Sequence, residues 1–193
     1  MKTIAGFAPF RVTICGIDEL AGHCDAGATH VLSILDPNWP EPEAFGAFDR
    51  HHRLELRFHD IIEPQRGLVA PAHEHVTRLL ALGRDLVAAR DSRVLVHCHA
   101  GISRSTAAAT LMLTQARPDR PAEEALREVV RLRPPAWPNL RMIEIGDELL
   151  GRNGEVVAAV AAHYREIIER SPEQATIMIE NGRGREIAAA SAG

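Results

Sequence analysis

A nearly unbroken apolar run at residues 93–98, RVLVHC, sets the strongest limit on how this chain can fold. A short valine-rich run of this kind is typical of a β-strand that is covered on both faces, as in a parallel sheet. Three earlier runs with β-branched residues also predict short strands, at Arg11–Cys15, Thr29–Leu35 and Arg53–Phe58. Because helical patterns separate and follow these runs, the sequence predicts one α/β domain.

The chain after the fourth predicted strand is helical by pattern, so the domain is expected to have a helical C-terminal half. The predicted helices are one after Pro71, Ile102–Ala116, one that begins at Pro121, Leu140–Leu150 and Glu155–Arg170. The expected architecture is a central, largely parallel sheet of about four to five strands flanked by helices. Residues 1–170 form the predicted domain. The Gly- and Ala-rich residues 171–193 predict a C-terminal tail that is either loosely ordered or a docking segment.

Composition excludes several classes of protein. The 193 residues are 46% apolar and 25% charged, as in soluble globular domains, and the net charge of -4 argues against nucleic-acid binding. No apolar run approaches the ~20 residues of a membrane span, and no polybasic segment predicts binding to a membrane surface. The cysteines, Cys15, Cys24 and Cys98, are too few for a disulfide framework and favour the cytoplasm. The sequence does not indicate an oligomeric state.

The segment HCHAGISRS, residues 97–105, joins the fourth predicted strand to a helix. Ligands bind at the carboxyl ends of strands in open α/β sheets, and the free amides of a helix N-terminus attract anions. Gly101 permits a tight turn, and the guanidinium of Arg104 can bind two phosphate oxygens side by side. A thiol in such positive surroundings is favoured as the nucleophilic thiolate. The segment therefore predicts that Cys98 lies beneath a bound phosphate.

These nine residues resemble the active-site loop of the cysteine-based protein tyrosine phosphatases, H-C-x-x-G-x-x-R-[ST], at every fixed position. The ending A-G-x-S-R-S and the short chain are similar to the compact dual-specificity branch, and the resemblance extends over residues 10–150. It implies the protein tyrosine phosphatase-like fold and hydrolysis of phosphate monoesters through a phosphocysteine, with no metal or other cofactor. The implied partner is a phosphorylated protein or a small phosphate monoester.

The resemblance also implies a role for each matching residue. Cys98 is the nucleophile, Arg104 binds the phosphate, and Ser105 stabilises the thiolate as it leaves. His97 supports the loop without touching substrate, and Asn139, in RPPAWPN, resembles a residue that supports the loop from outside. The remaining phosphate-binding positions, which act through the loop backbone, are His99, Ala100, Gly101, Ile102 and Ser103.

The family takes its general acid from a loop that follows a strand upstream of the cysteine. Asp60, in FHDIIEP after the third predicted strand, is the residue that we assign as this acid. Asp36, in LDPNWP after the second strand, is the alternative, and Glu63 and His59 also remain open. The sequence WPE at residues 39–41 resembles the W-P-D acid loop of the larger tyrosine phosphatases, but it lies one strand too early.

Other functions remain open at this stage. A phosphatase of inositol phosphates or nucleotides is an alternative, although the loop has no lysine of the kind that meets the extra phosphates of inositol lipids. A rhodanese-like loop would transfer sulfur, and a degraded phosphatase would bind phosphorylated motifs without turnover. The ten histidines, among them His51-His52, lack the spacing of a zinc site, so no metal is predicted. Cys24 is either a redox partner of Cys98 or a passive thiol.

Overall fold

The structure is a computed structural model, and it describes residues 6–89 and 91–192. The strands are β1 (Arg11–Cys15), β2 (His30–Leu35), β3 (His52–Arg57) and β4 (Arg93–His97). They form one sheet in the order β1-β4-β2-β3, and all pairs are parallel. The predicted α/β class and the four predicted strands are confirmed, with ends that differ by one residue at most.

Strand β4 lies inside the sheet because β1 pairs with one of its edges and β2 with the other. Its side chains alternate between two apolar layers, as the period of a strand requires. Val94 and Val96 belong to the main core, which is covered by helices. Leu95 belongs to a smaller cluster with Leu20, which lies on the 3₁₀ helix Ile17–Ala26. Coverage of both faces explains why the sequence of β4 is nearly all apolar.

The five predicted helices are present. They are α1 (His73–Ala88), α2 (Arg104–Ala116), α3 (Ala122–Leu132), α4 (Leu140–Leu150) and α5 (Glu155–Arg170). Helix α2 follows β4 after the loop 98–103 and is buried from Arg104 to Thr114, and its small side chains allow it to lie close to the sheet. Among the described residues, no helix is both long enough and apolar enough to cross a membrane.

The C-terminal segment 171–193 contains two short helices in its described part, α6 (Glu173–Glu180) and α7 (Gly184–Ser191). Helix α7 packs against α5, and Arg165 Nε donates a hydrogen bond to the carbonyl oxygen of Ala190 at 2.7 Å. Glu186 and Ala190 of α7 are buried. The turn before α7 thereby comes next to the loop that follows β4.

Candidate active site

The loop 98–103 leaves the carboxyl end of β4 and ends where α2 begins at Arg104. Its turn is made by Gly101, which has a φ of +71°. A Cβ atom at Gly101 would lie 2.5 Å from the carbonyl carbon of Cys15, and one at Gly16 would lie 2.9 Å from the carbonyl oxygen of His99. Two glycines therefore let the loop pack directly against the backbone that leaves β1.

Every carbonyl oxygen from His99 to Ser103 accepts a hydrogen bond from outside the loop. The donors, in the order of the acceptors, are Ile17 N (2.7 Å), Arg133 Nη2 (2.9 Å), Arg133 Nε (3.1 Å), Trp137 N (2.9 Å) and Asn139 N (3.3 Å). The carbonyl groups are thus turned outward. Because peptide units are planar, their amide groups face the opposite side, where they can bind an anion.

Cys98 lies at the base of this loop and is 2% exposed. Its Sγ is 3.3 Å from the Oγ of Ser105, which is buried in the first turn of α2. The structure therefore brings together the two residues that the sequence predicts as nucleophile and hydroxyl partner. A hydroxyl at this distance can donate a hydrogen bond to a thiolate.

Arg104 is 3% exposed, and one edge of its guanidinium is fixed. Its Nη1 donates to the carbonyl oxygen of Phe58 at 2.6 Å and to Asp36 Oδ1 at 2.7 Å. Its Nε is buried and has no hydrogen-bond partner within the described residues. An unsatisfied buried donor is costly, so this nitrogen is suited to an anion that enters the site.

Asp60 lies in the loop that follows β3. Its Oδ1 accepts hydrogen bonds from Ser103 Oγ at 2.7 Å and from Asn139 Nδ2 at 2.8 Å. Its Oδ2 is 3.7 Å from Nη1 of Arg183, a residue that the sequence analysis did not single out. Asn139 is also the N-cap of α4, because its Oδ1 accepts from Met142 N at 3.1 Å. The same side chain therefore starts a helix and holds Asp60.

Asp36, the alternative acid, forms an ion pair with Arg104. His99 is next to it, with Nε2 3.4 Å from the Asp36 amide nitrogen, and its ring is 4.2 Å from the ring of Trp39. Burial and the charge of Arg104 lower the pKa of His99. Asp36 thus orients the arginine of the loop, whereas Asp60 is held by neutral donors and by Arg183.

His97, at the end of β4, is fully buried. Burial lowers its pKa to about 4, so the ring is neutral at physiological pH. Its Nδ1 is 3.4 Å from the carbonyl oxygen of Cys98, the first residue of the loop. Its ring also contacts Phe45, with ring centroids 5.6 Å apart.

The loop and both aspartates line a pocket of about 540 Å³. Cys98, Arg104, Asp36 and Asp60 are accompanied there by His59, Ile61, Leu68, His99, Ala100, Ile102, Ser103, Trp137, Gln174, Met178 and Arg183. A larger cavity of about 670 Å³ lies at the amino ends of β1 and β4, and Cys98 does not line it. The smaller pocket is therefore the candidate active site.

The other candidates from the sequence lie elsewhere or have other contacts. Glu41, of the WPE sequence, is 68% exposed and pairs with Arg53. Glu63 pairs with Arg185. Cys24 is a free thiol whose Sγ is 3.7 Å from the carbonyl oxygen of Ala44. Within the described residues, no three His, Cys, Asp or Glu side chains converge as metal ligands would.

Two arginines that contact the site were missed at the level of sequence. Arg133 holds the carbonyls of the loop, and Arg183 contacts Ser103 and lies near Asp60. Burial by itself would lower the pKa of Arg183. The negative charges of Asp60 and Glu186 have the larger effect, so the pKa of Arg183 is raised. Neither arginine lies in a motif, so only its contacts identify it.

No protein-family model matches the sequence, and no curated protein matches it either. Its fold is similar to solved structures. Human DUSP28 aligns with a TM-score of 0.56 and 20% identity, over 76% of this chain and 95% of that one. Tk-PTP in the active form aligns with a TM-score of 0.50 and 25% identity, over 78% and 96%. The human tyrosine phosphatase-like serine/threonine/tyrosine-interacting protein aligns with a TM-score of 0.53 and 20% identity, over 72% and 84%.

The structure has the fold of the protein tyrosine phosphatases, a family of phosphate-ester hydrolases. The fold is also similar to that of human DUSP28, as the resemblance to the dual-specificity branch implies. The fold that the resemblance of residues 97–105 implies is therefore confirmed.

Proposed function

We propose that this protein is a phosphate monoester hydrolase that forms a phosphocysteine on Cys98 and acts on phosphorylated protein side chains, with tyrosine or dual specificity. The observation that carries the proposal is the guanidinium of Arg104. It is buried beside the cysteine loop, fixed through Nη1, and its Nε has no partner among the described residues. Outward-turned carbonyls leave the loop amides to bind the same anion, which supports a phosphate site directly above the thiol.

In the first step, the Cys98 thiolate attacks phosphorus, an S–P bond forms, and the bond from phosphorus to the leaving oxygen breaks. The loop amides and Arg104 stabilise the charge on the equatorial oxygens. Asp60 donates a proton to the departing oxygen. Its Oδ1 already accepts two hydrogen bonds, so Oδ2 is the oxygen left to carry that proton.

In the second step, a water molecule attacks the phosphorus and the S–P bond breaks. Asp60 now accepts the proton of the water, since the residue that acts as acid in one direction acts as base in the next. The thiolate of Cys98 leaves, and the hydroxyl of Ser105, 3.3 Å away, stabilises it by a hydrogen bond. Neither step needs a metal or other cofactor.

Asp60 is favoured over Asp36 as the acid because of their different partners. Asp36 forms a 2.7 Å ion pair with Arg104, and a proton on Asp36 would weaken the contact that orients the phosphate-binding guanidinium. Asp60 is held on one oxygen by Ser103 and Asn139. Its second oxygen is 3.7 Å from Arg183 Nη1 and makes no hydrogen bond to it, which leaves this oxygen for proton transfer.

A phosphatase of inositol phosphates or nucleotides is a second candidate, supported by the small-molecule size of the pocket. A binding module without turnover is a third, because one structural neighbour is named an interacting protein. The intact set of Cys98, Arg104 and Ser105 favours turnover. The free state of the three cysteines supports the cytoplasm as the compartment.

The deciding experiment is hydrolysis of p-nitrophenyl phosphate in reducing buffer without added metal, for the wild type and Cys98→Ser. We expect turnover by the wild type and its loss in the variant, together with a phosphoenzyme that can be trapped only when Cys98 is present. A wild type that binds phosphopeptides without turnover would support the binding module instead. Release of sulfite from thiosulfate would support sulfur transfer.

The acid is tested with Asp60→Asn and Asp36→Asn on phenyl phosphate and p-nitrophenyl phosphate. Phenolate is the poorer leaving group and needs the proton more, so Asp60→Asn should reduce its rate by roughly 10²-fold or more and spare p-nitrophenyl phosphate. Asp36→Asn should reduce both rates alike, because it releases Arg104. The reverse pattern would assign the acid to Asp36.

A further inference from the structure

Arg183, just before α7, brings a cation from the C-terminal segment to the wall of the pocket. Its Nη2 donates to Ser103 Oγ at 3.0 Å, and its Nη1 is 3.7 Å from Asp60 Oδ2. Ser103 belongs to the cysteine loop, and Asp60 is the acid proposed above. Through the side chain of Arg183, the C-terminal segment contacts the cysteine loop and lies near the proposed acid.

Glu186 fixes the orientation of Arg183. The carboxylate accepts two parallel hydrogen bonds from it, from Nε at 2.8 Å and from Nη2 at 2.7 Å. Glu186 has no exposed surface, and it also accepts from Trp137 Nε1 at 2.6 Å and from Leu140 N at 3.2 Å. A forked pair with four hydrogen bonds on the carboxylate holds the guanidinium in one position, unlike a mobile surface pair.

The contact with Arg183 determines which way the hydroxyl of Ser103 points. A guanidinium only donates, so Ser103 Oγ must accept from Arg183. The single hydrogen of that hydroxyl is then free for Asp60 Oδ1, 2.7 Å away. Without Arg183, Asp60 would be the one remaining hydrogen-bond partner of Ser103 Oγ among the described residues, so the hydroxyl and with it Asp60 Oδ1 would be held less firmly.

We infer that Arg183 is a positioning residue for proton transfer by Asp60, and that the segment 171–193 is a working part of the active site. Arg183 acts through Ser103, which fixes Oδ1 and leaves Oδ2 directed at the leaving oxygen. The inference rests on the proposed function and extends it to a segment that lies outside the sequence motif.

The test compares Arg183→Met with the wild type on phenyl phosphate and p-nitrophenyl phosphate. If Arg183 positions the acid, kcat/KM for phenyl phosphate should fall by about tenfold or more, part of the roughly 10²–10⁴-fold that a proton donor supplies, while p-nitrophenyl phosphate changes by less than about threefold. Arg165→Met is the matched control. It removes a hydrogen bond between α5 and α7 but not a group that lines the pocket, so the ratio of the two rates should not change.

Arg183→Met leaves the buried Glu186 without its cation, which threatens folding. The paired variant Arg183→Met/Glu186→Gln removes this charge and retains an oxygen for Trp137 Nε1, so it is measured alongside. A third measurement introduces Arg183→Met into Asp60→Asn. Residues that act through one another are not additive, so no further selective loss on phenyl phosphate is expected there.

Equal losses on both esters in both Arg183 variants would overturn the inference and leave the proposed function intact. A full additional selective loss in the Asp60→Asn background would overturn it too, because Arg183 would then act independently of Asp60. A wild type that hydrolyses neither ester would overturn the proposed function, and this inference with it.

Discussion

Gly101 marks the point where the cysteine loop approaches the backbone that leaves β1 most closely. A side chain at this position would overlap Cys15 and the amide nitrogen of Gly16, 2.6 Å away, and the φ of +71° disfavours any residue with a Cβ. Both effects act on the backbone that turns the loop amides toward the pocket. The geometry of the proposed anion site thus depends on the absence of a side chain at Gly101.

We therefore expect Gly101→Ala to lose both stability and activity. Backbone strain alone should lower the free energy of unfolding by about 1–3 kcal/mol, and the displaced amides should weaken phosphate binding. Gly22→Ala is the control, because a Cβ at Gly22 would meet nothing within 4 Å. Urea unfolding and p-nitrophenyl phosphate hydrolysis measure the two effects. A Gly101→Ala variant as stable and active as Gly22→Ala would contradict the expectation.

His97 makes the stability of the fold depend on pH. Burial lowers its pKa to about 4 from the ordinary 6.5, so below pH 6.5 the unfolded chain takes up a proton that the folded chain resists. The stability from a neutral, buried His97 is complete above pH 6.5 and is lost as pH falls toward 4.

Between pH 7 and pH 5 this loss should be about 2 kcal/mol, from roughly 1.5 units at ~1.36 kcal/mol each. His97→Gln cannot titrate, so its free energy of unfolding should fall less than that of the wild type over this range. Urea unfolding at the two pH values measures the difference. An equal fall in the free energy of unfolding of both proteins would show that His97 does not cause the pH dependence.

At the scale of elements, the proposed anion site depends on the segment between α3 and α4 as much as on the loop itself. Arg133, at the C-terminal end of α3, holds the carbonyls of Ala100 and Gly101, and the backbone of Trp137 and Asn139 holds the next two. These carbonyls would otherwise be free to turn toward the pocket and repel an anion.

Arg133→Met should therefore raise KM for p-nitrophenyl phosphate several-fold, by on the order of 1 kcal/mol of lost positioning, with a smaller effect on kcat. Arg131→Met is a matched control from α3, since Arg131 pairs on the surface with Glu128 and with no other carboxylate of the described residues. Steady-state kinetics of both variants test the prediction. An equal KM for p-nitrophenyl phosphate in the two variants would contradict the prediction.

At the scale of the whole molecule, the buried carboxylate of Glu186 is one of the groups that join the C-terminal segment to the core. This group satisfies the indole of Trp137 and the backbone amide of Leu140, and Tyr164 lies beside it. The sequence leaves a loosely ordered tail and a docking segment open for residues 171–193. The contacts of Glu186 favour a docked segment.

Deletion of residues 171–193 should lower the free energy of unfolding by about 1–3 kcal/mol, because the hydrogen bonds from Trp137 Nε1 and Leu140 N to Glu186 are lost at a net of roughly 0.5–1.5 kcal/mol each. The fluorescence of Trp137 should shift to the red as water reaches it. Removal of residues 192–193 alone is the control. An unchanged unfolding curve for the longer deletion would mean that the segment is loosely held.

Local sequence was sufficient for the four strands, the five main helices and the position of the cysteine loop, but not for the strand order β1-β4-β2-β3. Apolar residues recur every second position in a strand and every three to four positions in a helix, so both patterns can be found in short segments of sequence. The apolar run 93–98 and the glycine-containing turn after it mark the carboxyl end of a strand, where ligands bind in open α/β sheets. The loop residues Cys98, Arg104 and Ser105 were identifiable because they lie within eight positions of one another, so that one strand and one helix fix their geometry.

Only the tertiary structure decided which distant groups complete the site. Arg104 meets Asp36, and Asp60 meets Ser103 and Arg183, across separations of 43 to 123 residues along the chain. No periodic pattern encodes such pairs, because they depend on how the loops after β2 and β3 and the turn before α7 converge on one edge of the sheet. The sequence thus determined which residues form the cysteine loop, and the packing of distant segments determined which partners orient Arg104 and Asp60.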